Sequence, residues 1–428
     1  MSTPAPTTSA PTTTTITFSP DQQAAIEEIQ AWTGSGREHF RLGGLAGTGK
    51  TSISALLPSL LQGYSIQFCA PTGRAASVLT RKMGIEARTL HSILYVAESY
   101  TTHDAECKCS EDHPLRNDLN ACVDSLGYPL TGCTRIGCIC PSNIVWTKRS
   151  ELLDTAAAEP LADILVIDEA SMVGQTLYND VCELPCRKIW VGDYGQLPPV
   201  MDGRGVLSEN NLDAKLTQIH RQAGNPEGSN IVDLAHAVRA YGKTAAFEWT
   251  GPGVHIKRMP VARARLQADP SRMVICWKNK TRVTQNMAAR QALGFPADQP
   301  VVGDKVICLR NNRDAKVFNG QMGFVTEIKG GTRFVYKMVI TMEDGNVFEG
   351  DIVKAQFNQE KPLNDGYGNL FDYAYCITAH KSQGSEADEV VVLAEGANFN
   401  GEAQGASDPR WFYTAITRAK KKITVVLP

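Results

Sequence analysis

The octapeptide from Gly44 to Thr51, GLAGTGKT, constrains this chain more than any other stretch. It satisfies GxxxxGK[ST] at every fixed position; a short apolar entry (Phe40, Leu42) precedes it and a helix-like run, Ser52 to Leu61, follows. That is the strand-loop-helix setting a phosphate-binding loop requires. Glycines let backbone N–H groups turn inward around phosphate, and the positive end of the next helix adds field at the same point. Gly44, Gly47, Thr48, Gly49 and Ser52 thus form a candidate nucleotide cradle. Lys50 would neutralise the β and γ phosphates, and the Thr51 hydroxyl would hold Mg²⁺.

A chain of 428 residues exceeds one ordinary core, so roughly two to four domains are expected. The 43% hydrophobic and 21% charged content is that of a soluble globular protein. A formal net charge of -2 gives no global polyanion signature, yet a nucleic-acid channel needs only local positive charge and stacking surfaces. No run of eighteen apolar residues exists, which excludes a spanning helix. Residues 1–15, mostly Ser, Thr, Pro and Ala, lack the basic start and apolar centre of a signal peptide and read as a disordered tail. A reducing cytoplasmic location is expected, the host's if a phage encodes the chain, and it favours thiols or metal ligands over disulfides for the twelve cysteines.

Ser19, Pro20 and Gln22 open a helix with a capping box. Gln22 either only caps or also reads adenine beside the phosphate loop. Residues 65–70 form a buried strand ending in the polar turn Pro71-Thr72-Gly73-Arg74-Ala75-Ala76, and a second polar turn, Arg88 to Ser92, contains Thr89 and His91. Such turns lie at the carboxyl edge of a parallel sheet, where ligands bind. Between Tyr95 and Trp146 the chain is poor in apolar residues and holds Cys107, Cys109, Cys122, Cys133, Cys138 and Cys140 with His103 and His113. A structural zinc on Cys107, Cys109, Cys138 and Cys140 would supply the stability that such a segment lacks; free thiols or a disulfide are the alternatives.

The apolar run 162–167 reads as a strand buried on both faces and ends in Asp168-Glu169. With a phosphate loop upstream, Asp168 would hold the metal through water, and Glu169 would accept a proton from the attacking water. The next strand, 188–191, delivers Gln196, placed to report the γ phosphate. Arg221 and Arg418 flank a second α/β region and are candidate fingers for the transferred phosphoryl group. Strands are expected at 273–277, 303–309, 373–378 and 422–427, with a helix at 279–293. The period-two alternation of 323–357 reads as a small antiparallel barrel.

Taken in order, GLAGTGKT, APTGRAA, RTLHS, VIDEAS, GDYGQLPP, HRQ, NGQMG, ITAHKSQGSEAD and YTAITRAKK resemble the motifs of superfamily 1 helicases, in particular the RecD/Dda-like branch, over roughly residues 18–426. The resemblance implies an α/β fold of two RecA-like P-loop NTPase domains, with ATP between them and single-stranded DNA across their top, moved 5′ to 3′. It divides the chain into a first domain, 16–205, holding the Cys-rich insert 95–146, and a second, 206–322 with 371–428, holding an SH3-like insertion at 323–370. It assigns Gln22 to adenine, Glu386 to the ribose, and Gln196, Arg221 and Arg418 to the γ phosphate. Thr72, Thr89, His91, Thr378 and His380 would line the DNA. Relatives carry a small strand-separating hairpin where this chain has its longer Cys-rich insert, which suggests a zinc-stabilised wedge.

The expected function is an ATP-dependent DNA helicase acting at duplex junctions as a monomer, with ATP, Mg²⁺ and a structural Zn²⁺ as cofactors. The alternatives are a nucleic-acid-stimulated ATPase that remodels DNA or RNA without unwinding, and a non-enzymatic nucleic-acid-binding factor.

Overall fold

A computed structural model describes residues 18–99, 144–152, 160–199, 205–220, 225–261, 269–312, 315–363, 368–399 and 402–428. Two all-parallel sheets and one antiparallel sheet organise them. The first sheet has six strands in the order Ala87–Thr89, Ile66–Ala70, Ile164–Ile167, Arg187–Gly192, His39–Gly44 and Ala214–Leu216. Its central strand Ile164–Ile167 is a continuous apolar run because both faces are covered. Ile164 and Val166 pack on one side with Ile53, Leu57 and Trp32, while Leu165 and Ile167 pack on the other with Leu90, Ile93 and Trp190. The phosphate loop leaves this sheet after His39–Gly44 and enters the helix Lys50–Leu60.

The second sheet orders Cys376–Thr378, Met273–Cys276, Ala387–Leu393, Ala419–Leu427 and Val254–Arg258. Helices Pro226–Tyr241 and Pro409–Ile416 contribute Ile231, Leu234, Trp411 and Phe412 to the core against it.

The antiparallel sheet runs Val347–Val353, Val335–Met342, Met322–Gly331, Lys305–Cys308 and Phe371–Tyr373. Its two edges approach each other, since Ile352 bridges Asn369 and the Val353 N–H donates to the Asn369 carbonyl at 3.1 Å. The strand expected at 303–309 is Lys305–Cys308 and belongs to this sheet. One expectation is corrected, that 373–378 returns to the second parallel sheet as one strand: Val306 pairs with Gly323 on one side and Tyr373 on the other, and the parallel strand starts only at Cys376. A short apolar run buried on both faces has the same sequence signature in either kind of sheet. The unit is held to the helix Asn279–Ala292 by two ion pairs, Arg290 Nε to Asp304 Oδ1 at 2.9 Å, wholly buried, and Arg282 Nη1 to Asp372 Oδ2 at 2.7 Å. Removing one partner of such a buried pair costs about 3–5 kcal/mol.

The Cys-rich segment is bracketed by an antiparallel pair, Tyr95–Ser99 with Ile144–Lys148. The six cysteines and two histidines named for it lie outside the described residues, as do the N-terminal tail and Arg221.

Candidate active site

A cleft of about 400 Å³ opens between the two parallel sheets, and its walls come from both. Lys50, Thr51, Asp168, Glu169 and Gln196 face it from the first, and Glu386 and Arg418 from the second. Gly47, Gly49 and Ser52 also line it. Gly44 and Thr48 support the loop from behind: the Thr48 hydroxyl donates to the Leu45 carbonyl at 2.9 Å, and Lys50 Nζ donates to the Gly44 and Leu45 carbonyls at 2.7 and 3.0 Å.

Gly49, which precedes the helix, has φ +83°, a left-handed conformation that glycine adopts without penalty. A Cβ there would also lie 2.3 Å from Gln22 Nε2. Gln22 is buried and serves two elements at once. Its Oε1 accepts from the Ser19 N–H at 3.2 Å, completing the cap, and its Nε2 donates to the Thr48 carbonyl at 3.3 Å. Each end of the amide keeps one further hydrogen-bonding capacity. The segment leading to position 221 is fastened here too, because the His220 N–H donates to the Gly47 carbonyl at 2.7 Å and its Nε2 lies 2.9 Å from Ser19 Oγ.

Asp168 and Glu169 follow the strand Ile164–Ile167. Burial raises both carboxyls above their ordinary range, and for Glu169 the neighbouring Asp168 charge adds to it; Lys50 opposes the shift at both, and Arg418 opposes it at Glu169. Glu169 has φ +51°, left-handed backbone in a non-glycine residue, which costs on the order of 1 kcal/mol and persists where the surroundings over-determine it. Such strain concentrates at functional sites.

Arg418 is nearly buried and fully fixed. Its Nε donates to the Thr414 carbonyl at 2.9 Å, Nη2 to Thr417 Oγ1 at 2.9 Å and Nη1 to the Ser385 carbonyl at 3.3 Å. Glu386 pairs with Lys82 of the helix Gly73–Met83 at 3.9 Å and with Lys420 at 3.7 Å. Cations outnumber carboxylates along the cleft: Arg74, Arg81, Lys82 and Lys420 join Lys50 and Arg418.

A nucleotide and divalent cation fit this donor set on two observations. Gln196 Oε1 and Ser385 Oγ are buried at the cleft without a hydrogen-bond partner, and the adjacent Asp168 and Glu169 carboxylates share a poorly solvated position that a cation would favour. Among the described residues no group of three His, Cys, Asp or Glu side chains is arranged to hold a metal by itself, and the proposed zinc ligands lie outside them.

The remaining expected residues lie away from the cleft, at strand ends. Thr72 follows Ile66–Ala70 and caps the helix Gly73–Met83 by accepting from the Ala75 N–H at 3.2 Å. Thr89 ends the neighbouring strand and caps Leu90–Leu94. His91 is exposed with its ring 5.6 Å from Tyr95. Thr378 ends the second sheet's edge strand, and His380 is exposed on the next turn. All five occupy carboxyl edges of parallel sheets.

Two contributors were missed from sequence. Asp193 ends the strand Arg187–Gly192 much as Asp168 ends its own, a positional equivalence that was available from the motif. Tyr413 stands at the head of YTAITRAKK, but nothing local shows that it reaches the phosphate loop.

A P-loop beside an acidic strand end, closed by an arginine from the second parallel sheet, is the arrangement of a P-loop nucleotide-binding protein. A family model described as an AAA domain matches residues 17–259, more than half of the chain, and one described as a UvrD-like helicase C-terminal domain matches 373–426. The chain belongs to this AAA domain family. It is 25% identical over 429 residues to the ATP-dependent RecD2 DNA helicase of Deinococcus radiodurans, covering 95% of this chain and 48% of that protein. It is 27% identical over 307 residues to the RecBCD enzyme subunit RecD of Mycolicibacterium smegmatis, covering 62% and 50%. The chain thus spans about half the length of these relatives. The solved structure of Bacteroides Pif1 bound to ssDNA shares the fold, with a TM-score of 0.53 at 18% identity over 96% of this chain and 95% of that one.

Proposed function

We propose that this chain is an ATP-dependent DNA helicase that couples hydrolysis to 5′ to 3′ movement on single-stranded DNA and to duplex unwinding. The observation that carries the reading is the joint cleft: the phosphate loop and acidic pair come from one sheet, and Glu386 and Arg418 from the other. Bound ATP would then hold the two sheets together, and hydrolysis would release them. The kinship with RecD2 and RecD proteins supports the same reading.

In this proposal Lys50 and the cradle from Gly44 to Ser52 bind the phosphates, while Thr51 and Asp168 hold Mg²⁺, which when bound neutralises phosphate oxygens. Glu169 accepts the proton of the attacking water, and Gln196, Arg418 and Arg221 face the γ phosphate. Glu386 meets the ribose, and the spare Nε2 hydrogen of Gln22 meets adenine. Thr72, Thr89 and His91 grip DNA from the first domain and Thr378 and His380 from the second, so that a change in cleft opening moves one grip relative to the other. The two parallel sheets serve as RecA-like domains. The SH3-like insertion is best drawn at 305–373, wider than 323–370, to follow the strand pairing.

The zinc reading for Cys107, Cys109, Cys138 and Cys140 rests on sequence alone. Metal analysis tests it, and protein that contains no zinc and folds unchanged in chelator removes it. A monomer in a reducing cytoplasm completes the proposal.

ATP hydrolysis measured with and without single-stranded DNA, at stated salt because phosphate contacts are salt-sensitive, tests the whole. DNA stimulation followed by displacement on a 5′-tailed duplex supports a helicase. Stimulation without displacement moves the reading to a remodelling ATPase, and Lys50→Ala with undiminished turnover removes the site.

A further inference from the structure

The helix Pro409–Ile416 belongs to the second domain, yet Tyr413 sends its hydroxyl into the first. Tyr413 Oη accepts a hydrogen bond from the Ala46 N–H of the phosphate loop at 2.6 Å and donates one to Asp193 Oδ2 at 2.7 Å. Both side chains are fully buried. Burial, and then the Asp193 charge, push the phenol well above its ordinary range, so it stays protonated and remains a donor. The other Asp193 oxygen accepts from the Gly195 N–H at 2.8 Å, and Gln196 Nε2 lies 3.5 Å from Oδ2. The phenol therefore touches the loop that would hold phosphate and the carboxylate that braces Gln196.

Arg418 lies two residues past the end of the same helix. Thr414 Oγ1 accepts from the Leu197 N–H at 3.0 Å, and the Thr414 carbonyl accepts from Arg418 Nε at 2.9 Å. Docking through residues 413 and 414 thus fixes the angle at which Arg418 enters the cleft. Space at this junction is tight as well: a Cβ on Gly195 would lie 3.2 Å from Tyr413 Cε1 and 2.7 Å from Leu45 Cδ2.

We propose that Tyr413 is a positioning residue for hydrolysis, its hydroxyl locking the phosphate loop, Asp193 with Gln196, and the helix that leads into Arg418 into one closed arrangement. The inference rests on the ATPase reading above. A hydrogen bond between a phenol and a carboxylate in a dry site is stronger than one in water and is specific in direction, so its loss acts on geometry and leaves phosphate contacts in place.

The test is steady-state ATP hydrolysis and equilibrium ADP binding for wild type, Tyr413→Phe, Asp193→Asn and the double variant. Tyr413→Phe keeps the ring and should lower kcat roughly tenfold or more while KM and ADP affinity change less than about threefold, the split of an interaction made in the transition state. The double variant should lose no more than the worse single, because both remove one unit. Asp193→Asn carries the test if Tyr413→Phe does not fold, with the same kcat-only loss expected. Wild-type turnover with Tyr413→Phe, or Asp193→Asn in its place, within about twofold of it, or with KM rising at constant kcat, overturns the relay alone. Wild-type protein that neither binds nor hydrolyses ATP overturns the ATPase reading, and the relay falls with it.

Discussion

Gly73 packs so closely against Phe318 that a methyl group on it would collide with both Cβ and Cγ of Phe318. The contact joins the first residue of the helix after Thr72 to the turn that enters the antiparallel sheet. Arg74 Nη1 donates to the Gly320 carbonyl at 2.5 Å on one side of it, and Lys381 Nζ donates to Asn319 Oδ1 at 2.6 Å on the other. One turn leading into the antiparallel sheet therefore touches elements that follow strands of both parallel sheets, next in sequence to the candidate DNA residues Thr72 and His380. Gly73→Ala should force this turn away, because Phe318 Cβ cannot swing clear as a ring tip can. The expected cost is about 1–3 kcal/mol, larger than any gain in helix propensity, and weaker binding of single-stranded DNA should accompany it. Urea unfolding and a fluorescence titration with an oligonucleotide measure the two effects; unchanged values in both remove the docking role.

Glu169→Gln preserves shape at the strained position and removes the negative charge together with the capacity to accept a proton. Turnover should fall by about 100-fold or more, while ADP binding stays near wild type. Hydrolysis above a tenth of the wild-type rate would reassign the base.

How far the sequence revealed this arrangement depended on distance along the chain. The phosphate loop, the acidic pair after Ile164–Ile167 and the polar turns at Thr72 and Thr89 were legible because each is a strand, a turn and a helix start in one short stretch. Gln22 was half legible: its cap is local, but its bond to the Thr48 carbonyl is not. The membership of 305–308 in the antiparallel sheet was hidden, since burial on both faces erases the alternation that marks such strands. Tyr413 was hidden more deeply, its partner Ala46 lying 367 residues away. Asp193 shares its short motif with Gln196, and only its contact with Tyr413, 220 residues away, sets it apart.

Arg418→Lys keeps the charge but cannot make the three separate bonds, to Thr414, Thr417 and Ser385, that aim the guanidinium. Loss of a preorganised charge at a developing phosphoryl transition state costs roughly 100-fold or more in kcat. KM for ATP should move much less. A lysine variant with full turnover would show that charge alone suffices at this position.

Asp21 gives the fold a pH dependence whose sign follows from its contacts. Burial works against its ionisation, but the Gln218, Thr217 and Gln22 N–H groups and the Ser19 hydroxyl together hold its carboxyl at about 2, below the ordinary 3.8. These bonds tie the first helix to the segment leading into His220, with Thr217 and Gln218 donating at 2.6 and 2.8 Å. A depressed carboxyl stabilises the folded state fully above its unfolded value and ceases to do so as pH falls through the folded one. The window is therefore from just above pH 4 down to pH 2. Asp21 is only partly buried, so solvent screening limits the effect to about 1 kcal/mol. Asp21→Asn should be less stable than wild type by a constant amount between pH 5 and 7, and the two should converge as pH approaches 2. Urea midpoints at pH 7 and pH 3 decide it. A gap that persists undiminished at pH 3 would mean that the aspartate acts through shape and hydrogen-bond count, with its charge contributing nothing.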